Sequence, residues 1–113
     1  MQIVDKNISL SELQTMAENS FGEMVKAVVD LDKGLMAVDA LMHADLEKIL
    51  LEHDSEQSQL WGINLYPFES KEDWIEFDSM INIRPWANNR SRSVEDPMLR
   101  DKITQLVQGL VQA

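Results

Sequence analysis

Three arginines lie within nine residues in the stretch IRPWANNRSRS, and the segment 84–93 contains no acidic residue. This is unusual in a chain that has 20 Asp and Glu against 10 Lys and Arg. Guanidinium groups bind carboxylates and phosphates through paired hydrogen bonds, and neighbouring asparagine amides add further donors. The segment therefore predicts a site for a small anionic ligand. Its candidate residues are Arg84, Arg90, Arg92, Asn82, Asn88 and Asn89. The alternative is a structural loop in which these arginines are held by acids of the same chain.

A second set of candidates consists of groups that could transfer protons. Glu76 and Asp78 are two residues apart in an alternating segment, which on a strand places their carboxylates on one face, roughly 7 Å apart. His43 is one of only two histidines, and imidazole exchanges protons near neutral pH. The predicted catalytic candidates are therefore His43, Glu76 and Asp78. The alternative for the carboxylates is the solvated face of a one-sided sheet.

Several kinds of site are not predicted. The chain has no cysteine, which excludes thiolate metal sites and cysteine nucleophiles. His43 and His53 match no established zinc spacing, so no metal site is expected. The arginine segment has no glycine and is not a phosphate-binding P-loop, and no GxSxG motif is present. We expect no cofactor.

The elements that must position these residues follow from capping signals and periodicity. Ser9 and Glu12 form a capping box before a helix, and Asp96 with Pro97 marks the start of another. Segments that alternate with period two predict strands, and segments with apolar residues three and four apart predict helices. The predicted helices are 10–19, 43–53 and 97–113; the predicted strands are 24–31, 34–40, 60–66 and 74–84, the last ended by Pro85.

The order α-ββ-α-ββ-α predicts a single α+β domain over residues 1–113. We expect a two-layer sandwich in which an antiparallel sheet of about four strands carries helices on one face. Alternation along the last strand places Trp74 and Met80 on the polar face that holds Glu76. Large apolar side chains on such a face favour a covering partner, so we expect a homodimer.

Charge and hydropathy narrow the possible partners. The net charge is −10 and the isoelectric point is near 4.4, which argues against binding nucleic acid through its phosphates. No run of 18 apolar residues and no signal-peptide pattern is present. We therefore expect a cytoplasmic protein with no membrane association.

Long segments of the chain resemble a known family. They are GEMVKAVVD, DKGLMAV, HADLE, LWGINLYP, WIEFDSMINIRP and NRSRSVEDP, and together they span nearly the whole sequence. They are similar to short bacterial and archaeal proteins that form a domain of unknown function. The resemblance implies a compact cytosolic domain of this size, and it carries no catalytic residue over to this chain.

Three hypotheses about function follow from the residues. The first is a ligand-binding or interaction module with an anion site at the arginine segment. The second is a hydrolase or transferase that acts on a phosphorylated or acidic small molecule, in which the arginines stabilise charge in the transition state. The third is an acidic, antitoxin-like partner of a basic protein. The enzyme requires His43 or the carboxylates to share a cavity with the arginines.

Overall fold

The three predicted helices form close to their predicted bounds, and the first and third begin at the predicted capping residues. A computed structural model describes all 113 residues. The helices are α1 (Leu10–Glu18), α2 (His43–Glu52) and α3 (Pro97–Leu110). Ser9 Oγ accepts a hydrogen bond from the Glu12 N–H at 3.1 Å, and Asp96 Oδ1 accepts one from the Met98 N–H at 2.9 Å. None of the three helices has the length and apolar character that crossing a membrane requires.

The strands form one antiparallel sheet and one short parallel pair. They are β1 (Gln2–Val4), β2 (Ile8–Ser9), β3 (Val25–Asp30), β4 (Leu35–Val38), β5 (Leu60–Leu65), β6 (Ile75–Glu76) and β7 (Val111–Gln112). The main sheet has the order β1-β4-β3-β5-β6, and β2 pairs with β7 in parallel. The predicted α+β class with an antiparallel sheet is confirmed. The sheet has five strands rather than about four, because the residues before α1 add β1 at one edge.

The helices cover both faces of the sheet, so the predicted arrangement on one face is wrong. One face packs against α1 and α3 in a cluster of 18 buried residues. The other face packs against α2 in a cluster of five: Val28, Ala37, Leu46, Leu50 and Leu60. The reason lies in the apolar run Ala27–Val29, which gives the central strand β3 buried side chains on both sides.

The segment predicted as one long strand over 74–84 is a strand only at Ile75–Glu76. Single 3₁₀ turns follow at Met80–Asn82 and Pro85–Ala87. Trp74 does not lie on the polar face, because its side chain is 1% exposed within the cluster under α1 and α3. That placement removes Trp74 from the argument for a covering subunit. Met80 remains 65% exposed.

Side chains replace the missing part of the strand ladder along β5. The Gly62 N–H donates to Asn82 Oδ1 at 2.8 Å, and Asn82 Nδ2 donates to the Gly62 carbonyl at 2.9 Å. Arg84 Nη2 donates to the carbonyl of Leu60. The Asn82 amide offers Gly62 an acceptor and a donor, as the C=O and N–H of a residue in a neighbouring strand would, so these groups of β5 are satisfied although β6 does not continue beside them.

Gly62 is required in β5 because the segment that contains Ser79 passes directly over it. A Cβ built on Gly62 would lie 2.5 Å from Ser79 Cβ. We expect Gly62→Ala to lower the free energy of unfolding by about 1–3 kcal/mol, since the buried Ser79 must shift. The control is Gly109→Ala in α3, where nothing lies within 4 Å and alanine favours the helix. Urea unfolding followed by circular dichroism measures both; an unchanged midpoint for Gly62→Ala would contradict the packing argument.

Candidate functional site

A cleft of about 360 Å³ lies on the face of the sheet that α2 covers, beside the first turn of that helix. Its polar lining comes from three strands, from α2 and from the loop that the arginine segment 84–93 forms, which is called the arginine loop below. Its apolar lining is mainly methionine. The polar residues are Lys26, His43, Asn64, Tyr66, Glu76, Asp78, Ser79 and Arg92. The apolar residues are Met24, Met42, Ala44, Met80 and Ile81.

The floor of the cleft is a row of three side chains on adjacent strands. Lys26 of β3 pairs in register with Asn64 of β5, which pairs in turn with Glu76 of β6. Residues directly opposite each other in an antiparallel pair project from the same face of the sheet. The row therefore places a cation, an amide and a carboxylate in line across the sheet.

Asn64 ties this row together. Its Nδ2 donates to Glu76 Oε1 at 2.7 Å and to the Asp78 carbonyl at 3.3 Å. The Tyr66 hydroxyl donates to the same Glu76 oxygen at 3.3 Å. Desolvation, followed by the nearby charge of Glu76, raises the pKa of Tyr66, which keeps its hydroxyl protonated. Asn64 is 5% exposed, and its Oδ1 is buried without a donor.

His43 lines the cleft from the first residue of α2. Its Nε2 lies 2.8 Å from the Ile63 carbonyl. A carbonyl only accepts, so Nε2 carries the proton and Nδ1 is the proton acceptor of the neutral ring. Burial, together with the charge of Lys26, lowers the pKa of His43 below its usual 6.5, against the opposing effects of Ile63, Asn64 and Asp78. The ring is therefore neutral at pH 7.

Arg92 is the one arginine that lines the cleft, and it is paired with Asp78 there. Its Nε donates to Asp78 Oδ1 at 2.6 Å and its Nη2 donates to Asp78 Oδ2 at 3.3 Å. Both side chains are about half exposed. Arg92 and Asp78 thus form a two-point ion pair at the rim of the cleft, where solvent screens their interaction.

Three of the predicted anion-binding residues are instead buried where the loop packs against β5. Arg84 is 4% exposed; besides Leu60, its Nε donates to the Ile81 carbonyl at 3.1 Å, and its guanidinium stacks on Trp61. Asn82 and Asn89 are also buried, and Asn89 Nδ2 donates to the carbonyls of Asn82 and Ser93. These residues hold the loop against the sheet. The predicted anion site required them to face solvent, and they do not.

The remaining two, Asn88 and Arg90, are exposed and lie outside the cleft lining. A carboxylate of the protein itself already accepts hydrogen bonds from the backbone N–H groups beside them. The Glu95 carboxylate accepts the N–H groups of Arg90 and Ser91, each at 2.8 Å. The Ser91 hydroxyl and these two N–H groups lower the pKa of Glu95. The loop therefore contains a carboxylate of its own where the sequence predicted an external anion.

The structure brings the three catalytic candidates into one cleft with Arg92, and it places the other five anion-site candidates outside the lining of that cleft. Sequence reasoning missed Lys26 and Tyr66, although alternation did place Asn64 on the face of Glu76. The missing information is the register of β3 against β5, which joins residues 38 positions apart. No group of three His, Asp or Glu side chains is arranged to hold a metal ion.

Comparison with known proteins gives one match. Residues 2–110 match the model of a family described as a protein of unknown function (DUF5674). No curated protein and no solved structure matches the chain.

Proposed function

The chain belongs to the DUF5674 family, whose description names no activity, and we propose from the cleft that the protein is a hydrolase or transferase. Its substrate would be a phosphorylated or acidic small molecule. One observation carries the proposal: His43, Glu76, Asp78 and Arg92 line the same cleft. Shared access to one cavity is the property that distinguishes an acid–base site from separate surface residues.

His43 is the general base of the proposed reaction. The bond from Nε2 to the Ile63 carbonyl fixes the ring and leaves Nδ1 as the proton acceptor. A base works best when its pKa lies near the working pH, because it is then largely unprotonated when the substrate arrives and still accepts a proton readily. His43 would remove a proton from the attacking water or hydroxyl group.

The carboxylates act indirectly, because both already have partners. Glu76 accepts hydrogen bonds from Asn64 and Tyr66, and Asp78 is paired with Arg92. In the proposed site Asp78 orients Arg92, whose guanidinium stabilises the charge that develops on the substrate. The proton that His43 removes from the nucleophile can pass to the leaving group, whereas the Tyr66 hydroxyl, whose pKa is raised, keeps its proton and stays bonded to Glu76.

The test compares the two histidines of α2 and its C-cap. His43→Asn should reduce kcat by about 100-fold, the lower range for loss of a general base. His53→Asn is the matched control, because this exposed residue at the opposite end of the helix lies outside the cleft. Hydrolysis of p-nitrophenyl phosphate and of p-nitrophenyl succinate, followed as released nitrophenol, measures both variants. Equal rates for the two variants would contradict the role of His43.

The pH profile adds an independent readout. Protonation removes the base, so kcat/KM, which reports the free enzyme, should fall on the acid side, and the lowered pKa of His43 moves this fall below pH 6.5. The fall should be absent from the residual activity of His43→Asn. If these esters bound without any turnover, the result would contradict the enzyme and support the hypothesis of a ligand-binding module.

Two finer expectations remain predictions from the sequence. A homodimer now depends on the exposed Met80, since Trp74 belongs to the core. A cytoplasmic location stays a prediction from the composition, which includes no cysteine.

A further inference from the structure

We infer that Lys26, rather than the arginine loop, holds the anionic group of the ligand, and that this ligand is a small organic anion. Its carboxylate or phosphate would bind Lys26, and an apolar part would contact the methionines of the cleft. The inference rests on the proposed function, because it names the ligand class of the same cleft.

Of the two cations that line the cleft, Lys26 and Arg92, only Lys26 is not part of an ion pair. The protein contains two ion pairs between side chains, Arg84 with Glu47 and Arg92 with Asp78, and neither includes Lys26. Its ammonium group lies 5.3 Å from the centre of the Phe21 ring. In a chain with 20 acidic residues, a half-buried lysine left without a carboxylate is a site at which an external anion gains a full charge interaction.

The strand register explains why the cleft's own carboxylates do not neutralise Lys26. Glu76 lies two strands away, with Asn64 between them. Two interstrand spacings separate the backbones by about 10 Å. Glu76 is further held by Asn64 and Tyr66, and Asp78 is held by Arg92. The geometry thus keeps the cation and the two carboxylates apart on the floor of one cleft.

The start of α2 favours negative charge at the same place. Met42, His43 and Ala44 line the cleft, and Met42 as N-cap provides no side-chain acceptor for the first turn. Unpaired N–H groups and the helix dipole attract anions. Asp45, in the same turn, lies outside the cleft lining. Lys26 and the helix start line the same cleft, so both can attract the anionic group of one ligand.

Asn64 provides a second, independent sign of an incomplete site. Its buried Oδ1 has no donor, whereas its Nδ2 has two acceptors. Asn64 favours the protonated ring of His43, because an amide oxygen can accept the additional N–H that only the protonated ring has. An anion at Lys26 would offset the charge repulsion between Lys26 and that ring, so binding should be accompanied by proton uptake on His43.

The methionines determine the other half of the ligand class. Met24, Met42 and Met80 line the cleft, and the last two are among the most exposed large apolar side chains of the protein. Methionine adapts to differently shaped apolar groups. A fully hydrated inorganic ion would gain nothing from them, so they favour an organic anion.

The test measures binding by calorimetry and by backbone amide shifts, with phenyl phosphate, benzoate and inorganic phosphate as probes. Lys26→Gln should weaken the tighter of the two aromatic probes by about tenfold or more. Lys33→Gln is the control, because Lys33 bonds to the His53 carbonyl at the far end of α2. The aromatic probes separate phosphate from carboxylate recognition, and inorganic phosphate should bind more weakly than phenyl phosphate. Calorimetry near pH 6.5 in two buffers of different ionisation enthalpy should detect proton uptake.

Each result bears on one conclusion. Wild-type affinity in Lys26→Gln, with the probe still shifting the amides around His43, would overturn the inference and leave the enzyme proposal intact. Failure of every probe to bind the wild-type protein would also overturn it. Lys26-dependent binding without turnover of the nitrophenyl esters would support it while contradicting the proposed catalysis.

Discussion

Asn82→Ala is expected to lower the free energy of unfolding by about 3 kcal/mol or more. The Asn82 side chain is fully buried and bonds to both backbone groups of Gly62 and to the Arg92 carbonyl. Alanine leaves these groups without partners inside the protein, and each buried unsatisfied group costs about 1–3 kcal/mol. The loop over β5 would also lose its attachment. Chemical denaturation at pH 7 gives the difference.

The matched control for Asn82 is Asn88, six residues along the same loop. Asn88 is exposed and has a positive φ of 60°, a conformation that glycine adopts without strain. Asn88→Gly should therefore change the unfolding free energy little. If Asn82→Ala were as stable as Asn88→Gly, the side-chain ladder along β5 would not contribute as described.

Arg84→Ala is expected to cost about 3 kcal/mol, the second large effect. Its guanidinium satisfies the carbonyls of Leu60 and Ile81 and covers the Trp61 ring at 4.7 Å. Glu47, at 3.9 Å and mostly buried, would lose its only cation. Removing one partner from a buried polar group is costly, because the other partner remains desolvated. The midpoint of thermal unfolding should fall accordingly.

Arg90→Ala provides the comparison, because Arg90 belongs to the same loop and its side chain is exposed. It should unfold like the wild-type protein. The two variants also test the anion-site hypothesis. If Arg84→Ala and Arg90→Ala lowered the free energy of unfolding by equal, small amounts, Arg84 would not be needed for stability and would be available to a ligand. A large loss confined to Arg84→Ala supports the structural loop.

The helices were predictable because their signals are local. Ser9 and Asp96 accept first-turn N–H groups as their positions in the sequence indicated. The structure of residues 74–84 was not predictable in this way. These residues alternate as a strand does, and only Ile75–Glu76 forms one. Asn82 and Arg84 do face β5, but through side chains while the backbone turns away. Period-two alternation reports which residues face a sheet edge, and it does not distinguish a paired backbone from an amide that imitates one.

The site was predictable in part for a related reason. Glu76, Asp78 and Asn64 follow from alternation along two neighbouring strands. Lys26 and His43 join them only through the position of β3 beside β5 and of α2 over the sheet. Those positions depend on packing between segments distant in sequence, which residue spacing does not encode. The same limit led to helices being expected on one face only.

The side chains along β5 also bear on how the sheet avoids growth into fibres. A strand edge with open N–H and C=O groups can recruit a strand from another molecule, which is a common route to aggregation. Beyond β6, Asn82 and Arg84 occupy the groups that the six-residue β5 would otherwise present. The opposite edge belongs to β1, which has three residues. The main sheet therefore presents only short templates for intermolecular strand addition, the three residues of β1 and the two residues of β6.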